Sequence, residues 1–292
     1  MKKVGILVLL SIIALGVGLV GCKKERKGSD LNESITWQRL SAFAEYTDPF
    51  VAENWPKGDE AGIPNCWVHV DVLYPEIDDN RYVALRDSLV KSLSQRISMI
   101  PNNNFSKDSI QAFVDSFVSA QISDYKEDLS QASELDFDVF SYSVFSRRID
   151  LCDSLVYNKN GIVSITMLSQ EYTGGAHGND LLTTFCYDLE QNEIITPSVL
   201  FSDPKDSRIV EILLGKLMAE FDVNTPEELE YAGIFNYQAL DITNNFYFTE
   251  DGVTFYYNPY ELAAYAVGPI ELSVSYSELS PFINGAFTKL LP

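Results

Sequence analysis

Residues 162–189 read IVSITMLSQEYTGGAHGNDLLTTFCYDL. The runs Ile162–Tyr172 and Leu181–Leu189 are dense in β-branched and aromatic residues, and the glycine-rich stretch between them reads as the turn that joins two strands. Three glycines within five residues, Gly174, Gly175 and Gly178, permit positive φ and close backbone approach, which a sharp reversal needs. Just upstream, Phe137–Tyr157 is a third β-rich run, joined to the first through Asn158-Lys159-Asn160-Gly161. The simplest reading is a meander of long antiparallel strands.

Outward from that meander the periodicity changes. Toward the N-terminus, Cys66, Val68, Val70, Val72 and Tyr74 alternate with polar neighbours, the pattern of a half-buried strand. Pro75–Asn80 breaks it. Tyr82, Leu85, Leu89, Leu93 and Ile97 then recur at helical spacing until Pro101 and its asparagines, and a second helix is expected after Ser106, with Ile110, Phe113, Val114 and Phe117 on one side, fading near Asp128. Trp37–Ala61 reads as an irregular lead-in or an edge strand. Toward the C-terminus, Ile209, Val210, Leu213, Leu217 and Phe221 stripe a helix over Asp206–Phe221, and Thr225-Pro226-Glu227-Glu228 supplies N-cap, N1 proline and capping-box glutamate for a short one. Strands return at Asn245–Thr249, Val253–Asn258 and Ile270–Tyr276, with Glu250-Asp251-Gly252 as a hairpin turn.

Helices and strands therefore come in blocks, and the expected class is α+β: two α+β parts with mainly antiparallel sheets, each carrying one or two packed helices. The expected divisions are a leader over 1–21, a tether and irregular lead-in over 22–60, one α+β domain over 61–178 and a second over 179–292.

The first residues read as an export signal. Lys2 and Lys3 precede an uncharged stretch, Val4–Val20, and Leu19-Val20-Gly21-Cys22 matches a bacterial lipobox, in which the chain is cut before the cysteine and its thiol acylated. The competing reading is a transmembrane anchor, since that stretch lies at the lower edge of what spans a bilayer; the cysteine argues against it. Lys23-Lys24-Glu25-Arg26-Lys27-Gly28-Ser29-Asp30 suits a flexible tether. The expectation is a palmitate-type lipid anchor on Cys22, with Lys23 after it pointing to the outer membrane, periplasmic or surface-facing.

Composition narrows the partners. Removing Lys2 and Lys3 leaves 19 basic side chains against 42 acidic and a formal charge of −23. Such acidity disfavours nucleic acid and favours a basic partner through long-range steering, or else serves solubility in a crowded envelope. Cys66, Cys152 and Cys186 contain no Cys-x-x-Cys pair, so zinc and redox motifs are unsupported; one disulfide among them would leave a free thiol. No cofactor is called for.

Tyr172-Thr173-Gly174-Gly175-Ala176-His177-Gly178 resembles the signature of a family of bacterial extracytoplasmic domains, shared by the lysozyme-sensing outer part of the RsiV-type anti-sigma factor and the non-catalytic N-terminal part of the PdaC-type peptidoglycan deacetylase. The tail is similar too: Asn245–Thr249, Val253–Ala263, Gly268-Pro269 and Ile270-Glu271-Leu272, with Tyr187-Asp188-Leu189 through Ile195-Thr196 to Leu200-Phe201 between. The likeness spans roughly Asn65 to Leu279. It departs from both relatives where they act: only three residues precede the hydrophobic run, leaving no room for a sigma-binding domain, and His69 and His177 are the only histidines available to a catalytic domain. The resemblance implies a binding module on a lipid anchor, with lysozyme-like protein or peptidoglycan material as partner and no catalysis of its own; an envelope glycan hydrolase built on carboxylates is the alternative.

Two groups of residues stand out as binding candidates. The first is Tyr172, Thr173, Gly174, Gly175, His177 and Gly178, a loop that either grips a ligand through its amides and imidazole or simply turns the chain, the structural role being favoured because strand-to-strand turns need glycines more often than ligands do. The second is Tyr256, Tyr257, Asn258, Tyr260 and Glu261, with Tyr265 close by, either a contact surface or a core tyrosine cluster, the core being favoured. His69 and Asp71 share the polar face of the first strand and invite a metal reading, but two ligands do not make a site. No Gly-x-Ser-x-Gly or His-Glu-x-x-His pattern occurs, and no catalytic residue is singled out.

Overall fold

The computed structural model describes residues 31–56, 62–76, 80–97, 105–131 and 145–291, so the expected signal peptide, Cys22 and most of the tether lie outside the described residues. Six strands form the larger sheet in chain order: β1 (Thr36–Tyr46), β2 (Cys66–Glu76), β3 (Arg147–Lys159), β4 (Ile162–Tyr172), β5 (Asn179–Asp188) and the short β6 (Glu193–Ile194). All neighbours pair antiparallel except β2 and β3, which run parallel. Parallel neighbours need a crossover, and the two long helices α2 (Val83–Arg96) and α3 (Lys107–Gln131) lie between them in sequence. The lead-in segment contributes the edge strand β1 and a short helix, α1 (Pro49–Asn54), whose first amides are capped by Asp48. Of the strand expected over Phe137–Tyr157, residues 137–144 lie outside the described residues, and β3 covers the rest from Arg147.

The alternation in β2 is expressed as expected. Cys66, Val68, Val70, Val72 and Tyr74 are buried in one core with Ile149 and Leu151 of β3 and Ile110, Val114, Phe117 and Val118 of α3. Beside it, Leu85 and Leu89 of α2 meet Val163, Ile165 and Met167 of β4 and Phe185 and Tyr187 of β5. Asp153 of β3 sits on this helix-bearing side, 2% exposed, and receives a 2.5 Å hydrogen bond from Arg96 at the end of α2 and a 3.1 Å one from the Leu73 amide.

The second sheet, β7 (Phe246–Phe248), β8 (Gly252–Tyr257) and β9 (Ile270–Ser275), is wholly antiparallel. Helix α4 (Pro197–Leu200) and helix α5 (Ser207–Glu220) precede it and α6 (Tyr276–Leu279) follows, α5 packing on β9. The expected short helix after Thr225 is a tighter 3-10 turn over Pro226–Glu230: the Glu228 carboxylate caps the Asn224 and Thr225 amides as anticipated, but Gly233 at φ +89° ends the run before it can lengthen.

The two sheets share a core. Tyr157, Ile162 and Cys186 of the large sheet belong to the same buried cluster as Leu213, Phe246, Phe248, Phe255 and Leu272. The division expected at 178/179 falls between β4 and β5, which are hydrogen-bonded neighbours in one continuous sheet. Cys66, Cys152 and Cys186 are free thiols, and among the described residues no helix is long and apolar enough to cross a membrane.

Candidate functional site

The loop between β4 and β5, residues 173–178, closes a hairpin whose last regular pair is Glu171 with Asn179. Gly174 and Gly175 take φ values of +100° and +98°, a region closed to most side chains, and a Cβ on Gly178 would stand 3.0 Å from the Glu171 carbonyl oxygen. The glycines therefore shape the turn, as the structural reading expects. The Tyr172 hydroxyl donates to the Gly175 carbonyl at 3.0 Å and holds the loop over the strand end.

His177 ties this loop to the tail. Its Nδ1 lies 2.8 Å from the Gly178 carbonyl oxygen, which can only accept, so Nδ1 carries the proton and Nε2 is left as an acceptor in the neutral ring. The Tyr260 hydroxyl points to that Nε2 at a long 3.4 Å. The ring stacks on Tyr265 with centroids 3.9 Å apart and planes 16° from parallel, and Tyr260 lies against Tyr265 at 5.8 Å. Residues 83 positions apart thus form one aromatic cluster. Tyr260 is 61% exposed and holds φ at +73°, an uncommon conformation for a bulky residue.

The remaining tail candidates divide by burial. Tyr256 and Tyr257 are core residues, and the Tyr257 hydroxyl donates to the Asp241 carbonyl at 2.8 Å. Burial pushes the Tyr256 phenol above its ordinary range, aided by the carboxylates of Glu271, Asp180 and Glu261 around it. Asn258 is a clamp: its side chain accepts from the Leu182 amide at 2.8 Å and donates to the Leu182 carbonyl at 3.0 Å, copying a strand pairing onto β5. Asn245 donates to the same carbonyl at 2.8 Å. Glu261 is exposed, and its carbonyl accepts from the Asn236 side chain, which brings the segment carrying Tyr231 (94% exposed) and Phe235 (64% exposed) alongside the tail. Sequence reasoning missed these two aromatics, because a lone aromatic in a loop has no periodicity to mark it.

His69 and Asp71 do not act together. Asp71 accepts from Arg39 and Ser41 of β1, both at 2.8 Å, whereas His69 turns to Asp150 across the parallel pairing.

Two family models match the chain. One, described as "Deacetylase PdaC", matches residues 65–180, and the other, "Protein of unknown function (DUF3298)", matches residues 198–277. The two matches fall on successive parts of the chain, the first similar to the PdaC-type domain and the second to the DUF3298 domain. No curated protein matches it. Among solved structures it resembles a DUF3298 family member from Bacteroides fragilis NCTC 9343, with a TM-score of 0.71 and 21% identity over 90% of this chain and 98% of that one. It also resembles a DUF3298 family protein from Pseudomonas aeruginosa PAO1, with a TM-score of 0.55 and 18% identity over 90% of this chain and 99% of that one. At such identities the likeness concerns the fold alone.

Proposed function

We propose that this chain is a cell-envelope binding module, held to the membrane by lipid on Cys22, whose contact surface is centred on His177, Tyr260 and Tyr265 and takes a basic protein of the lysozyme type. The observation that carries the reading is the aromatic stack that joins the glycine loop to the tail at the surface, with Tyr260 61% exposed. Aromatic rings with polar tips, held in place by neighbours, supply contact area at little entropic cost. The carboxylates of Glu271, Asp180 and Glu261 act on the Tyr256 phenol, and the acidity of the whole chain steers a cationic partner toward the protein.

Titration calorimetry of the full chain in detergent with hen-type lysozyme, at low and at physiological salt, tests this. Physiological salt shortens the Debye length to about 8 Å, so binding by charge alone disappears there, whereas an interface with buried aromatic anchors persists. The expected result is binding at both salts that falls at least about 10-fold in Tyr260→Ala, the loss of an anchoring aromatic. Heat at low salt only, or none at either, overturns the assignment of lysozyme; competition by soluble peptidoglycan fragments in place of lysozyme would move the same surface to a glycan ligand. The anchor has a separate test. Cys22→Ala should leave the membrane fraction on carbonate washing, and its retention would make Val4–Val20 a true membrane helix.

A further inference from the structure

The large sheet has a second side. Its helix-bearing face is filled, but opposite α2 and α3, β1, β2 and β3 present Ser41 and Phe43, Trp67 and His69, and Arg148, Asp150 and Cys152, and here Phe43 is 52% exposed. Strand alternation explains the grouping: His69 and Asp150 are direct partners in the parallel register, and Cys152 lies two residues further along the same face of β3.

We propose that His69, Asp150 and Cys152 form a binding site for a divalent transition metal of the zinc class, with one nitrogen, one oxygen and one sulfur ligand and a fourth position open toward solvent. The donor atoms are already gathered. His69 Nδ1 lies 2.9 Å from Asp150 Oδ1, Cys152 Sγ lies 3.1 Å from that same oxygen, and Sγ and Nδ1 are 3.9 Å apart. Zinc–ligand bonds of about 2.0 Å to nitrogen and oxygen and about 2.3 Å to sulfur put tetrahedral donors roughly 3.3–3.6 Å apart. Each edge of the triangle therefore needs to change by only a few tenths of an ångström.

The chemistry of the set fits as well. In the metal-free protein Asp150 Oδ1 is the common acceptor of the His69 N–H and the Cys152 S–H. On binding, the thiol proton leaves to solvent and the imidazole proton moves to Nε2, so Nδ1, Oδ1 and Sγ each turn a lone pair to the cation; the carboxylate and the thiolate together neutralise its two charges. The surroundings hold the ligands in place. Arg148 Nη2 is 3.8 Å from Asp150 Oδ2, the oxygen outside the triangle, and its guanidinium packs over Trp67, whose ring is 5.6 Å from that of His69. Such outer partners fix ligand orientation. Two of the three ligands are thiolate and imidazole, which select zinc, cobalt or nickel over magnesium or calcium. The side chains of His69 and Asp150 are 31% and 16% exposed, open enough for a metal ion to enter.

Cobalt titration of the chelator-stripped full chain in detergent is the direct test, because a thiolate bound to Co²⁺ gives a charge-transfer band that carboxylate and imidazole cannot. One equivalent should produce that band together with intense visible bands of four-coordinate geometry, and Zn²⁺ should displace it. Cys152→Ser should abolish the charge-transfer band, and His69→Ala should weaken binding by more than about 100-fold, beyond the 10–100-fold that loss of an outer partner costs. Arg148→Ala belongs to that smaller range. Circular dichroism of each variant checks that it folds. A chain that gives no thiolate band, or a band that survives in Cys152→Ser, overturns the proposal.

Discussion

At Gly252, where β8 begins, an added Cβ would lie 2.0 Å from the Val274 carbonyl and 2.8 Å from the Ser275 Cα, both backbone atoms of the paired strand β9. Neither can retreat without breaking the pairing, so Gly252→Ala is expected to cost about 3 kcal/mol, at the upper end of overpacking effects. Gly175→Ala meets nothing within 4 Å and is strained only by its φ of +98°, for about 1 kcal/mol. Urea denaturation ranks the two, and the reverse order would show that the glycine loop, rather than the hairpin, is the tighter structure. Asp153 is the other residue on which much depends. Burial raises its carboxyl pKa against the opposing pull of Arg96 and the Leu73 amide, and the Arg96 side chain is itself only 6% exposed. Removing one partner strands the other charge, so Asp153→Ala is expected to lose about 3–5 kcal/mol, whereas a double replacement of Asp153 and Arg96 by apolar residues of similar volume should recover most of it. Gly178 and His177 were legible in the sequence because glycine and histidine advertise local constraints. Asp153 was not, since nothing about an aspartate in a β-rich run says that an arginine 57 positions earlier will meet it.

Elements were legible to the extent that their pattern is local. The stripe of Ile209, Leu213 and Leu217 predicts α5 almost to its ends, and Asp206 caps it by accepting from the Arg208 amide at 3.0 Å. The alternation of β2 survives because one of its faces is buried under α3. β4 shows no such alternation over Ile162–Ile165, since its first half is buried on both sides, by α2 and by the second sheet, and composition rather than period identified it. The parallel pairing of β2 with β3 left no trace in the sequence: a two-helix crossover and a two-helix excursion look alike until the strands meet. That blindness also hid the His69, Asp150 and Cys152 cluster, for Asp150 and Cys152 lie 81 and 83 positions beyond His69 along the chain. At the C-terminal end, α6 is set by a capping box in which the Ser275 side chain accepts from the Glu278 amide at 3.3 Å and the Glu278 carboxylate accepts from the Ser275 amide at 3.0 Å; the Ser275 hydroxyl also donates to that carboxylate at 2.6 Å, and Lys216 of α5 binds it at 2.8 Å. Those partners, Lys216 first and then Ser275, lower the Glu278 pKa from 4.5 to about 2. A carboxylate depressed in the folded state stabilises above its unfolded pKa and ceases to do so as pH falls through the folded one. Glu278→Gln should therefore melt below the parent near neutral pH, a stability loss of about 1 kcal/mol or less because the pair is part exposed, and the gap should close between pH 4.5 and about 2. A gap that persists at the acid end would mean that packing, and not the ion pair, holds α6.

Over the whole molecule the two matched family regions meet through a junction that is hydrogen-bonded as well as apolar. Ser164 of β4 accepts from the Phe248 amide at 3.1 Å and contacts Cys186 Sγ at 3.0 Å, and that sulfur lies 3.1 Å from the Phe246 carbonyl, so β7 is sewn to the middle of the large sheet by backbone groups. Asn258 and Asn245 repeat the stitch at Leu182. Separating the parts would expose Ile162, Cys186, Phe246 and Phe248, each no more than 3% exposed, and leave those amides and carbonyls to find water in an apolar surface. At about 25 cal/mol per Å² of apolar area, side chains of this size cost roughly 1.5–3 kcal/mol each to uncover, which places the partly opened species well above the native state and leaves it little separate stability. The described residues are therefore expected to unfold as one cooperative unit in spite of their two sheets, with a calorimetric enthalpy equal to the van't Hoff enthalpy in differential scanning calorimetry. Asn258→Ala, which removes the clamp on Leu182 without touching either core, should lower the melting temperature of that single transition. Two resolved transitions in the parent chain would refute the shared core, and a split that appears only in Asn258→Ala would locate the coupling in the polar stitch instead of the buried aromatics.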